Sequence, residues 1–169
     1  IISSLGFTTQ ENMEAIHNYQ SGIKLQTNKA KADTPILAGL IDSPKLAAKA
    51  KEHQLESYTR IEQLFILSIQ DVLTQSSIDI SKPDCCLIFS TTKGNIELLS
   101  QHTGHFSEDV FLWKMAQRVS AYFHVSSGHI RIISNACISG VSALIVGKRL
   151  IEAGHYQKVI VTGADVLSH

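Results

Sequence analysis

The 169 residues carry 15 basic and 15 acidic side chains, for a formal net charge of zero, and 44% of them are hydrophobic. That length and apolar content suit a single domain, 1–169, with a sizeable core, and the balanced charge leaves no electrostatic footprint for nucleic acid. No apolar run reaches the roughly 20 residues of a membrane span, and an odd count of three cysteines, two of them adjacent at Cys85 and Cys86, argues against a disulfide framework and for a reducing, cytoplasmic setting.

The first element in chain order is a helix. Thr8 is followed three residues later by Glu11, the pattern of a capping box, and Met13, Ile16 and Tyr19 then recur at helical spacing. From Ser21 to Glu56 the sequence is polar and irregular, with Lys29-Ala30-Lys31-Ala32, Asp33, Pro35 and Pro44. It reads as a long excursion holding a short helix at Pro44 to Lys51, its charges forming a solvated face. Ile61, Leu64, Phe65, Ser68, Ile69, Val72 and Leu73 fit the i, i+3, i+4, i+7, i+8 template, which predicts an amphipathic helix packed on a sheet.

After the turn Ser81-Lys82-Pro83-Asp84, the continuous run Cys85 to Ser90 predicts a strand covered on both faces, and therefore a central one. Thr91-Thr92-Lys93-Gly94-Asn95 follows at its carboxyl end, where the sites of open α/β sheets gather. A helix is expected from Ser107, with Glu108 and Asp109 in its first turn and Phe111, Trp113, Met115, Val119 and Phe123 as core or subunit-contact residues. Ile130 to Ile133 then predicts a strand, and Ile138 to Ala153 a helix stopped by Gly154. Apolar residues surround that helix (Ile138, Val141, Ala143, Leu144, Ile145, Val146), so it is expected to be buried on all sides. Gly140, Ala143 and Gly147 lie on nearly one face and would let another backbone approach.

Cys137 sits where this last strand turns into the helix. The first free N–H groups of a helix and its positive dipole end stabilise anions, so the position favours a thiolate and gives an oxyanion somewhere to bind. The competing reading is a buried small hydrophobe, the ordinary fate of a free cysteine, and position alone leaves both open. Of the remaining cysteines, Cys85 and Cys86 read as strand residues without chemistry.

The surrounding residues narrow the choice. Ser134-Asn135-Ala136-Cys137-Ile138-Ser139-Gly140, the helix to Ala153-Gly154, and Lys158-Val159-Ile160-Val161-Thr162-Gly163-Ala164-Asp165 together resemble the β-ketoacyl synthases, thiolase-like condensing enzymes in which an "ACxSG" turn holds the acylated cysteine and a later strand ends "GGAE". Upstream, Ser4-Leu5-Gly6, Glu11 to Ile16 and Ser21-Gly22-Ile23 are similar to the family's opening "SPLG", first helix and "SGI". The glycine-poorer turn at Thr91 to Asn95 and the shorter carboxylate Asp165 depart from its pattern.

The resemblance implies a thiolase-like α/β fold, layered helices around a mixed, mostly parallel sheet, of which this chain would be the amino-terminal half, trimmed at both ends. It implies an acyltransferase: an acyl group passes from a carrier protein's phosphopantetheine thioester to Cys137, then condenses with a malonyl-carrier thioester as carbon dioxide leaves, in fatty-acid or polyketide-type synthesis. The Cys137 N–H would be one oxyanion donor, with Asn135, Ala136, Ser139 and Gly140 supporting the turn and Ser134 able to bond its backbone. Asp165 would reach the backbone behind the cysteine loop. Two histidines and a lysine that assist decarboxylation in the family belong to its second half, so this chain alone is expected not to condense. The family also pairs the strand corresponding to His129 to Ser134 with its twin across a two-fold axis, which predicts a homodimer.

No cofactor is expected, and no metal. His102 and His105 form an H-x-x-H pair, but nothing in the sequence nominates the further ligands that zinc needs. His124, His129 and His155 fall at element ends and are given no catalytic role. Two other functions stay open: a non-catalytic partner subunit resembling chain-length factors, which usually lack the cysteine, and an unrelated thiol hydrolase or α/β domain in which Cys137 is packing.

Overall fold

A computed structural model describes residues 1–29, 32–101 and 107–167. The chain parts into two compact units, residues 1–58 with Leu167, and Thr59–Val166.

The first unit begins with α1 (Thr9–His17). The capping box is formed: the Thr8 hydroxyl accepts the Glu11 N–H at 3.0 Å, and the Glu11 carboxylate accepts the Thr8 N–H at 3.1 Å. The polar stretch that reads as an irregular excursion contains two short antiparallel strands, β1 (Lys24–Gln26) and β2 (Ile36–Ala38), with Lys24 opposite Ala38. Three-residue strands are too short to display alternation, which is why the sequence pattern passes over them. α2 (Ser43–Glu52) starts at the expected place, with Asp42 accepting the Lys45 N–H at 2.8 Å and Pro44 in the first turn.

The second unit carries the central sheet. α3 (Arg60–Thr74) buries Ile61, Leu64, Phe65 and Ile69 as the periodicity predicts, and also Glu62, Ile66 and Leu67, whereas Val72 at the carboxyl end of the predicted stripe is exposed. β3 (Cys85–Ser90) is buried at all six positions and lies between β4 (Ile130–Ile133) and β5 (Lys158–Gly163), parallel to both. Its side chains alternate between two covered faces. Cys86 and Ile88 join Ala143 and Tyr156 in one cluster, while Phe89 meets Phe65 of α3 edge-on at 5.2 Å between ring centres.

The helix expected from Ser107 begins later. Ser107 caps only a short 3-10 turn, Glu108–Val110, the backbone extends at Phe111, and α4 (Leu112–Tyr122) follows. Phe111 and Trp113 are exposed and stack on each other, whereas Met115 and Val119 are buried.

α5 (Ser139–Glu152) corrects another expectation. Only one stripe is buried, Ser139, Ala143 and Gly147, while Ile138, Val141 and Leu144 are 57–62% exposed, as are Ile145 and Ile151 to a lesser degree. The small residues bring the helix backbone onto the sheet, and the opposite apolar face has no element of the second unit over it among the described residues. Gly147 marks the closest approach, since a Cβ there would stand 3.0 Å from Val159 Cγ1 and 3.6 Å from Ile88 Cδ1. Gly147→Val should therefore lower unfolding stability by about 2 kcal/mol, because overpacking by a branched side chain outweighs its small gain in helix propensity over glycine. Gly147→Ala should stay within about 1 kcal/mol, since its gain in helix propensity offsets the tight contact. Urea melts of the two variants check the pair, and equal stabilities would contradict the close approach.

Candidate active site

Because the three strands of the second unit run parallel, their carboxyl ends collect on one edge, and the segments that follow β3, β4 and β5 meet there. The Thr91 N–H donates to the Ile133 carbonyl at 3.3 Å, and the Ala164 N–H donates to the Ser90 carbonyl at 3.2 Å. Cys137 lies in the turn between β4 and α5 and is exposed, so the reading of it as a buried packing residue does not hold. The thiol stands two residues ahead of the first helical residue, Ser139.

The turn is held by its own polar groups. Ala136 adopts φ +45°, a left-handed conformation costly for a residue with a Cβ. Ser139, buried, donates its hydroxyl to the Ala136 carbonyl at 2.7 Å and accepts the Asn135 N–H at 2.8 Å. The Ile138 and Ser139 N–H groups bond the Asn135 and Ala136 carbonyls, and the Asn135 side-chain amide donates to the Ser142 hydroxyl at 3.1 Å. Gly140 is exposed, and a Cβ added to it would come no nearer than 4.0 Å to Ser90 Oγ, so space does not require glycine there.

Asp165 lies at the end of the segment after β5. Its carboxylate accepts from the hydroxyls of Thr91 and Thr92 at 3.0 and 2.7 Å, and from the Thr92 N–H at 3.0 and 3.2 Å. It reaches the loop after β3 rather than the cysteine turn itself. Ser134, in turn, donates to the Thr92 carbonyl at 3.3 Å. The two threonines were legible only as loop residues at a strand's carboxyl end.

The three thiols differ sharply. Burial, and then the Asp84 carboxylate, push Cys85 up from 9.0 to about 11, and burial also raises Cys86. Both are fully buried, whereas Cys137 is open to reagents. Limiting iodoacetamide near neutral pH should thus label Cys137 at least about tenfold faster than either strand cysteine, because only an accessible thiolate reacts. Peptide mapping reads this, and comparable labelling of Cys85 or Cys86 in the folded chain would contradict the placement.

His102 and His105 lie outside the described residues, and among those described no group of three or more His, Cys, Asp or Glu could hold a metal ion. No helix among them is long and apolar enough to cross a membrane.

Comparison with known proteins gives a consistent result. A family model described as 3-Oxoacyl-[acyl-carrier-protein (ACP)] synthase III matches residues 133–169, the segment from the end of β4 through the cysteine turn to the chain end. The chain is 26% identical over 118 residues to the beta-ketoacyl-[acyl-carrier-protein] synthase III of Porphyra purpurea, covering 70% of this chain and 31% of that protein. Its structure is similar to a crystal structure of a beta-ketoacyl synthase from Burkholderia phymatum STM815, with a TM-score of 0.64 at 16% identity, over 92% of this chain and 42% of that one. The chain thus spans about a third of the length of its curated relative. These findings bear out the resemblance to the β-ketoacyl synthases, and the α/β fold is thiolase-like.

Proposed function

We propose that this chain is the nucleophile-bearing part of a 3-oxoacyl-(acyl carrier protein) synthase, in which Cys137 takes an acyl group from a carrier-bound thioester and holds it for decarboxylative condensation. The observation that carries the reading is an exposed thiol in a braced strand-to-helix turn, inside the segment matched by the synthase III family model. In the transfer, the Cys137 sulfur attacks the thioester carbonyl, the tetrahedral oxyanion collapses, and the carrier's thiol leaves with a proton. Storing the acyl group as an enzyme thioester divides one hard reaction into two easier ones. The Cys137 N–H is the proposed oxyanion donor, and a single such donor is worth on the order of 3 kcal/mol of barrier.

The carrier protein and its phosphopantetheine thioesters are the proposed partners. The bare apolar face of α5, at Ile138, Val141, Leu144, Ile145 and Ile151, supports reading the chain as part of a larger enzyme, since a helix lined with such residues ordinarily packs against another element. β4 is an edge strand of the described sheet, with its Ile130, Ile132 and Ile133 β-branched, which supports pairing with its twin in a homodimer. A cytoplasmic setting accords with three free thiols.

Incubation with a labelled acyl-carrier thioester tests the first half-reaction, and transfer of label to the chain is expected. With malonyl-carrier thioester added, the chain alone should form no ketoacyl product, because the residues implied for decarboxylation are proposed to lie outside it. A chain that is never labelled would refute the acyl-transfer role, and a ketoacyl product would refute the incompleteness.

A further inference from the structure

Thr92 occupies a peculiar place at the carboxyl edge of the sheet: its backbone N–H and its carbonyl are bonded by groups from the two neighbouring strand ends. On one side Asp165, after β5, takes the Thr92 N–H and the Thr91 and Thr92 hydroxyls, four donor contacts of 2.7–3.2 Å converging on a single carboxylate. On the other side, the Thr92 carbonyl receives the Ser134 hydroxyl at 3.3 Å, three residues before Cys137 in the segment after β4. The Thr91 N–H bond to Ile133 runs alongside it. Thr91 is 1% exposed, and its hydroxyl oxygen also accepts the Gly94 N–H at 3.1 Å, so the loop has little freedom to swing away.

We infer that Asp165 is a positioning residue for the Cys137 turn, acting through Thr92 and Ser134 as a clasp across the three strand ends. The inference rests on the acyl-transfer reading for its kinetic consequence, but the clasp itself does not depend on it. The Ser134 contact is long for a hydroxyl bond and is the weakest link. Its strength therefore depends on Thr92 staying where the carboxylate fixes it. The Ala136 conformation makes the turn sensitive to such support, because a strained residue persists only where its surroundings over-determine it. Aspartate suits the role by chemistry: an ionised carboxylate is acceptor-only and can take several donors at once.

The test compares Asp165→Ala and Asp165→Asn with the wild-type chain by three readouts. Acyl transfer from a carrier thioester to Cys137 should fall about tenfold in Asp165→Ala, since small misplacement of a reacting group is costly. Asp165→Asn keeps an acceptor oxygen and should recover most of that loss. Iodoacetamide alkylation of Cys137, which needs an accessible thiolate but no positioned carbonyl, should change less than about twofold in both variants. Hydrogen exchange should quicken in Asp165→Ala over residues 91–92 and 134–139, with the amides of α3 unchanged. A general loss of structure would instead speed exchange throughout and alkylation together, and would overturn the inference. So would exchange at 134–139 identical to wild type, or transfer undiminished in Asp165→Ala. If the wild-type chain accepts no acyl group while exchange at 134–139 still rises in Asp165→Ala, the functional reading fails and the clasp stands.

Discussion

Cys137→Ala should reduce acyl transfer to the chain by at least about a thousandfold, equivalent to roughly 4 kcal/mol of barrier. The change deletes the sulfur and little else, because Cys137 is exposed. Neither Cys85 nor Cys86 can take over: both are buried in β3, with thiols held protonated. Cys137→Ser is the sharper control. A hydroxyl in the same turn keeps the geometry but is a far weaker nucleophile without a base, so transfer should remain at least about a hundredfold down. Timed assays with labelled carrier thioester read both variants, and circular dichroism should find them folded like the wild type. Transfer surviving in Cys137→Ala would mean that another group accepts the acyl chain.

The largest stability effect should come from Arg118→Ala. Glu62 is fully buried at the start of α3, where its carboxylate accepts from the Thr59 N–H at 2.9 Å, the Asn95 amide at 3.1 Å and Arg118 Nε at 3.1 Å. Arg118, on α4, is 36% exposed and brings the positive charge. Asn95 extends the network, accepting the Thr59 hydroxyl at 2.6 Å and donating to the Asp109 carbonyl at 2.8 Å. Removing the guanidinium strands a buried charge. Such losses cost about 3–5 kcal/mol at fully buried pairs, so about 2–3 kcal/mol is expected here, where one partner is partly solvated. Adding Glu62→Gln to Arg118→Ala should restore more than half of the loss, because the stranded charge is then gone. Urea denaturation of the single and double variants reads the coupling, and additive effects would contradict it.

This network also marks the limits of reading the chain from its sequence. Glu62 was visible neither as a buried residue nor as an ion-pair partner, because Arg118 and Asn95 are far off in the chain and periodicity reports only apolar faces. The Asp165 clasp was hidden for the same reason: its threonine partners lie 73 and 74 residues earlier. Local signals did better. The Thr8–Glu11 capping box, the helix through Ile61 and Ile69, and the six-residue strand from Cys85 all depend on near neighbours, and all three are present. The helix after Cys137 lies almost to the residue where its pattern predicts, yet one face of it is exposed, because apolar residues all round a helix tell what it seeks to cover, not what covers it. Ser107 misled in another way, since its side chain caps a turn that the extended backbone at Phe111 then interrupts.

The central claim is that the sulfur at the β4–α5 turn, and neither of the sulfurs in β3, accepts the acyl group. Peptide-level mass spectrometry of the wild-type chain, quenched after exposure to an acyl-carrier thioester, tests it most directly. The account predicts one acyl adduct, on the peptide containing Cys137, with the peptide containing Cys85 and Cys86 unmodified. An adduct confined to Cys85 or Cys86, or a chain whose mass never changes while the thioester remains intact and the protein folded, would contradict it.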